Sequence, residues 1–302
     1  MSTSNQPNSA LPDSTNVSQH IFDTPVSLND FQVICQLSRG CFGSVNKVQY
    51  KKNGQIYAMK QYNKKHISKN GEIDFIREKS ILYDITQKGY PNIVKLYADF
   101  EDNDTINLVM EYVEGITLKT LRGNDNEQGY VSQNLIINIL TQLLETLEFL
   151  HDKCHIIHRD IAPENIILQK NNQIKLLGFG LSAYLENSNE ILVSKKSFIG
   201  QIRYVPPEML FFEKSRNYDY KIDIFSLGFT MYSLMNPTNN GQVNLPQITE
   251  KKGGSFNRIE QNLENKFYNP KLIEFVKLLY ENDQTKRPSA SSALEQLKKI
   301  HL

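Results

Sequence analysis

Eight residues in the middle of the chain, His158-Arg159-Asp160-Ile161-Ala162-Pro163-Glu164-Asn165, leave few folds open to it. They follow a broad apolar helix face formed by Leu135, Ile136, Leu140, Leu143, Leu144, Leu147 and Leu150. They precede two short apolar runs, 166–168 and 174–177, around the turn Lys170-Asn171-Asn172, which read as a hairpin. An aspartate here can accept a proton from an attacking hydroxyl, and an asparagine five residues on can ligate a metal ion. A charged surface loop would use similar residues. This order, with a helix before it and a hairpin after, is improbable by chance.

The chain ahead of this segment reads as strands. Phe31, Val33, Cys35 and Leu37 alternate as in a half-buried strand. Gly40-Cys41-Phe42-Gly43 makes a turn, and 44–50 reads as a second strand. Asn53-Gly54 is a hairpin signal, and 55–61 reads as a third strand. A glycine-rich turn between antiparallel strands lets backbone N–H groups approach phosphates closely. The same glycines would serve an ordinary hairpin. In Tyr57-Ala58-Met59-Lys60 the strand period puts Ala58 and Lys60 on one face. A lysine facing a cleft can hold phosphate oxygens. Glu78, on the helical stretch 73–85 beside Leu82, is placed to orient it. Taken alone, both residues fit a solvated surface equally well.

Downstream, 222–235 and 271–280 read as helices, and 236–269, dominated by Asn, Gln, Lys and Gly, as long loops with little helix. Residues 1–28 are rich in Ser, Asn, Pro, Gln and Thr and read as a disordered polar tail. The architecture expected is α+β: a small strand-rich lobe, then a larger helical lobe.

A chain of 302 residues suggests about two folding units or one two-lobed domain. Lys+Arg is 34 against Asp+Glu 33, so the net charge of +1 gives no electrostatic reason to expect nucleic acid or an anionic membrane as partner. Cys35, Cys41 and Cys154 are too few and uneven for a disulfide framework or a zinc cluster. No run approaches the ~20 apolar residues of a membrane span, and 1–8 lacks the apolar stretch of a signal peptide. The expectation is a soluble, cytoplasmic protein that meets a protein partner or protein substrate.

In this order and context, these segments resemble the protein kinase family, serine/threonine-like, over about 31–298. Further matches carry the resemblance. Leu108-Val109-Met110-Glu111-Tyr112-Val113 is similar to the hinge between the lobes, with Met110 at the gatekeeper position. Pro206-Pro207-Glu208 stands where kinases end the activation segment. Asp223-Ile224-Phe225-Ser226-Leu227-Gly228 resembles the central helix of the large lobe, with Phe225 in place of the usual Trp. Lys286-Arg287-Pro288 resembles the segment whose arginine pairs with the residue matched here by Glu208. The resemblance implies a two-lobed kinase-like domain at 31–300, with an N-lobe at about 31–110 and a C-lobe at about 114–300. It implies ATP as ligand, held by Leu37, Gly40, Gly43, Val45, Ala58, Lys60, Met110, Glu111, Val113 and Ile167. It gives Asp160, Asn165, Lys60 and Glu78 the catalytic roles, and Leu82, Leu96, His158 and Phe179 the side-chain stack that ties kinase lobes together. Ser197 falls at a phosphoacceptor position, with Arg159 as the regulatory partner of its phosphate.

Besides Phe225, and Ser38 at the first position of the usual three-glycine pattern, three positions depart from the family pattern. The metal-binding Asp of Asp-Phe-Gly is Gly178, which leaves Asn165 as the metal ligand and Mg2+ doubtful. Ala162 stands where serine/threonine kinases carry a loop lysine, and Gln201 where they carry the threonine that bridges it to the catalytic aspartate. Losing one preorganised electrostatic group commonly costs ~10²–10³ in rate. The pattern therefore points to a pseudokinase: a domain that binds ATP, transfers phosphate poorly and serves as a regulatory or scaffold module. Two alternatives stay open, an active serine/threonine kinase with atypical metal binding and a kinase-like domain that binds no nucleotide. On the first reading, Gly178→Asp with Ala162→Lys is expected to restore transfer in part.

Overall fold

A computed structural model describes residues 22, 24–40, 43–66, 69–124, 131–185, 204–210, 219–236, 248–251, 255–258 and 267–300. Ser197 and Gln201 lie outside the described residues. The chain divides into two compact units, one made of the residues through His66 with Leu96–Glu111, the other of Ile67–Lys95 with Tyr112 onward.

The first unit is a five-stranded antiparallel sheet. Its strands are β1 (Phe31–Arg39), β2 (Gly43–Tyr50), β3 (Ile56–Asn63), β4 (Leu96–Glu101) and β5 (Thr105–Glu111), in the order β1-β2-β3-β5-β4. Strand alternation divides β3 between two faces. Tyr57 and Met59 join Phe31, Val48, Tyr50, Ala98 and Val109 in a buried aromatic and aliphatic cluster. Beside that cluster, amide side chains bridge the strands: Asn46 donates to Gln61 at 2.7 Å, and Gln61 donates to Asn107 at 2.9 Å. Each buried amide is thereby paired, as burial of polar groups requires.

The structure departs from the half-buried reading of β1. Of its nine residues only Phe31 is buried, and Val33, Ile34 and Leu37 are exposed. β1 is an edge strand, and register shifts between Val33 and Cys35 and between Gln36 and Ser38 break the alternation. Order also begins ahead of the expected tail boundary. The Phe22 ring packs 4.9 Å from that of Tyr50 and 5.5 Å from that of Tyr57, and Asp30 closes a capping box on Ser27.

The second unit is largely helical. It holds α1 (Lys69–Lys88), α2 (Leu118–Asn124) and α3 (Gln133–Glu148), then α4 (Pro207–Leu210), α5 (Lys221–Met235), α6 (Pro270–Leu279) and α7 (Ala290–Lys299). Every residue from Ile222 to Met235 is buried, as expected of a helix that is apolar all round. α5 packs against α3 and α6, and α7 packs against α3. Short strands accompany the helices. β6 (Ile116–Thr117) pairs with β8 (Ile166–Leu168), β8 with β9 (Ile174–Leu176), and β7 (Ile156–Ile157) with β10 (Ala183–Tyr184). The β8–β9 hairpin is the one read around Lys170-Asn171-Asn172. The stretch 236–269 holds a feature its composition hid: β11 (Ile248–Lys251) and β12 (Ser255–Arg258) form an antiparallel hairpin. Among the described residues, no helix is long and apolar enough to cross a membrane.

Candidate active site

The loop 158–165 hangs from a single carboxylate. Asp223, on α5 and with no exposed surface, accepts the backbone N–H of His158 at 2.8 Å, the N–H of Arg159 at 2.8 Å and Nε2–H of His151 at 2.9 Å. Burial acts to raise its pKa. The hydrogen bond and charge of His151, together with the bond from His158, outweigh burial and hold the carboxyl below the usual range. Arg159 adopts φ 66°, a left-handed conformation that an L-residue keeps only where its surroundings impose it. Burial pushes the His158 imidazole below the usual histidine range, against the pull of Asp223 and Asp160. Its contacts are those of a neutral ring: Nε2–H donates to the Leu177 carbonyl at 2.9 Å, and Nδ1 accepts the Asp160 N–H at 3.2 Å. The ring stands edge-on to Phe179, centroids 4.7 Å apart.

Asp160 and Asn165 are in direct contact. Asn165 Nδ2 donates to the Asp160 carboxylate at 2.7 Å and to its backbone carbonyl at 2.8 Å. The backbone ties the same loop to the Gly178 segment, with Leu177 N–H donating to the Asn165 carbonyl at 2.8 Å. Gly178 sits at φ 85°, ψ 43°. A Cβ placed there would lie 2.7 Å from Asn165 Cγ and 2.8 Å from Asn165 Oδ1. The Asn165 carboxamide therefore fills the space that a side chain at 178 would need. Ala162 has no exposed surface. Arg159 is also buried, its guanidinium donating to the carbonyls of Leu181 and Ser182.

In the sheet unit, the nucleotide-contact residues expected from the sequence are brought together in part. The ladder sets Val45 opposite Lys60 and Ala58 opposite Met110. These four share the face away from the aromatic cluster, because directly opposed residues point the same way. Gly40 N–H donates to the Gly43 carbonyl at 2.8 Å and closes the turn. Gly43 has to be glycine, since a Cβ there would fall 1.8 Å from the Gln61 carbonyl oxygen. Lys60 Nζ lies 4.9 Å from the centroid of the Tyr62 ring, within reach of a cation–π contact. Glu111 stands opposite Tyr57 and so points to the other face, and Leu37 falls within a register shift of β1. Glu78 is 2% exposed on α1, while Val113 is buried and Ile167 half-buried. These last three belong to the helical unit.

A third constellation closes the helical unit. Arg287, 1% exposed, grips Glu208 through two parallel bonds of 2.5 and 2.7 Å. The guanidinium also lies 4.9 Å from the centre of the Phe225 ring. The sequence model of the protein kinase domain matches residues 31–297. The chain belongs to the protein kinase family.

Known kinases are similar to it over most of that span. An Aurora kinase of Saccharomyces cerevisiae is 37% identical over 212 residues, which is 70% of this chain and 54% of the relative. An Aurora kinase of Candida glabrata is 33% identical over 235 residues, 76% of this chain and 61% of the relative. The serine/threonine-protein kinase cds1 of Schizosaccharomyces pombe is 32% identical over 281 residues, 88% of this chain and 57% of the relative. The chain thus spans little more than half the length of these relatives.

Gly178 stands where the family places its metal-binding aspartate. Position 178 offers no side-chain oxygen. Asn165, the other expected ligand, gives its amide N–H groups to Asp160, which leaves its Oδ1 as the oxygen that could ligate a cation, beside Gly178. The loop aspartate, its asparagine and the buried carboxylate beneath them are all in place. Sequence reading missed Asp223 as the hub, and it missed the tie of Arg77 to Ser182. Their partners lie far along the chain, beyond any local pattern.

Substitution at Gly178 meets the Asn165 carboxamide. Gly178→Asp puts a Cβ into a left-handed backbone at about 1–2 kcal/mol and displaces Asn165 from Asp160 at about 1–3 kcal/mol. A net loss of about 2–5 kcal/mol is expected in chelator. Thermal unfolding of Gly178→Asp, Asn165→Ala and the double variant checks this: the double should lose less than the sum of the singles. Additive losses would mean that the two positions do not compete for space.

Proposed function

We propose that this kinase domain binds ATP but transfers its γ-phosphoryl group poorly, and that it serves as a regulatory or scaffold module for a protein partner. The observation that carries this is the missing anchor at Gly178, whose space the Asn165 carboxamide takes while bonded to Asp160. When bound, ATP supplies the phosphoryl group. The chain supplies the Gly40–Gly43 turn for close backbone approach, Lys60 for phosphate charge, and the apolar face of Val45, Ala58 and Met110 for the base. Asp160 remains available to accept a hydroxyl proton.

A second reading, an active serine/threonine kinase acting on protein hydroxyls, has its own support. The loop that holds Asp160 is fully built on Asp223, and a relative such as cds1 is named as a serine/threonine-protein kinase. The two readings share ATP binding and differ in rate and in metal dependence.

Thermal unfolding with ATP, with and without Mg2+, tests the binding. At 1 mM ATP and a Kd of ~10 μM, a gain of about 2.7 kcal/mol is expected. That gain should be nearly the same in chelator and should shrink in Lys60→Met. An unchanged melting temperature with ATP would contradict ATP binding. A gain that appears only with Mg2+ would favour the active reading.

A further inference from the structure

We propose that the ring of Tyr62 is a shelf that holds the Lys60 ammonium ready for phosphate, which makes Tyr62 a positioning residue of the sheet unit. Both side chains belong to β3, and the strand period of two puts them on one face. Lys60 Nζ lies 4.9 Å from the centre of the Tyr62 ring, inside the range over which a ring face attracts a cation. The ring is held in turn. Tyr62 is 6% exposed, and the ladder sets it opposite Ile106, which is buried as well. On the other side Tyr62 stands opposite Gly43, the residue that ends the Gly40–Gly43 turn. The lysine, its shelf and the turn that allows close phosphate approach therefore all belong to one unit.

The chemistry of the contact suits this task. A carboxylate beside a lysine neutralises its charge, whereas a ring attracts the ammonium through its quadrupole and leaves the net charge in place to draw phosphate. Lysine carries its charge on a flexible four-carbon stem and loses rotamer freedom when it is ordered on a ligand. A buried ring that already holds the ammonium lowers that loss. The contact needs the π face and not the tyrosine hydroxyl. Phenylalanine at 62 should therefore serve as well, and leucine, which fills similar space without a π face, should not.

The consequence for phosphate rests on the ATP reading, whereas the contact itself is measured without nucleotide. In the nucleotide-free full chain with isotope-labelled lysine, the Lys60 Hε resonances are assigned by their loss in Lys60→Met. They are expected upfield of the other lysines because they lie over the ring, to stay there in Tyr62→Phe and to return to the common range in Tyr62→Leu. Titrations with ATP and with adenosine read the effect. Tyr62→Leu should weaken ATP about two- to fivefold, as loss of one cation–π contact does, and leave adenosine unchanged. Tyr62→Phe should match the natural protein, and Tyr62→Leu should add nothing in the Lys60→Met background. Tyr62→pentafluorophenylalanine keeps the ring but reverses the charge of its face, so it should weaken ATP as leucine does, and it replaces the leucine variant if that one fails to fold. A merely structural role would weaken ATP and adenosine alike, and that result would overturn the proposal. Lys60 resonances in the common range in natural protein, or an undiminished effect of Tyr62→Leu in Lys60→Met, would also overturn it. Natural protein that binds no ATP contradicts the ATP reading, and the lysine spectra then still decide whether the ring holds Lys60.

Discussion

Asp223→Ala is expected to cost about 3–5 kcal/mol, because it removes one member of a fully buried, charged hydrogen-bond set. Three donors lose their acceptor together: the N–H groups of His158 and Arg159 and the ring of His151. Each buried donor left unpaired costs its own desolvation. The left-handed conformation at Arg159 loses the bond that holds it, so the loop relaxes and carries Asp160 with it. For a domain of this size the melting temperature should fall by roughly 6–20 °C. Asp223→Asn keeps the volume but turns a donor toward those N–H groups, so it should recover little. Thermal unfolding of both variants checks the expectation. A loss below about 1 kcal/mol would mean that the loop keeps its shape by other means.

What the sequence makes legible is chemistry carried by neighbours. His158 through Asn165 could be read because the aspartate and asparagine sit on one short loop between a helix and a hairpin. Ala58 and Lys60 could be placed on one face because the strand period is two. The pair Arg287 and Glu208 came through family resemblance alone, since 79 positions separate them. What stayed hidden is contact at a distance. Asp223 reads locally as one polar residue on an apolar helix, and its three partners are more than sixty positions away. The hydrogen bond of Tyr184 to Asp84 spans 100 positions. The exposure of β1 follows from its edge place and its two register shifts, neither of which alternation reports. The strands β11 and β12 carry Ile-Thr-Glu-Lys and Ser-Phe-Asn-Arg, too polar to signal a hairpin. The glycine at 178 was plain in the sequence. The filling of its space by Asn165 was not, because two packings of one asparagine share one sequence.

Phosphoryl transfer by the natural chain is expected to be about 10⁴ slower than that of ordinary kinases, which turn over at ~1–100 s⁻¹. Two preorganised groups are missing, the carboxylate at 178 and the lysine at 162, and each is commonly worth ~10²–10³. Groups that act as a unit do not add fully, which brings the product down toward 10⁴. Asp160 and Asn165 remain, and the Asp223 scaffold holds them, so the residual rate should depend on Asp160. Gly178→Asp alone should not restore the rate, since its carboxylate must first displace the Asn165 carboxamide. The direct test is the transfer of labelled phosphate from ATP to a generic protein substrate, with Mg2+ or Mn2+, by the natural chain and by Asp160→Asn. The account predicts ~10⁻⁴–10⁻² s⁻¹ for the natural chain. A rate within tenfold of ordinary kinases, abolished by Asp160→Asn, would contradict it.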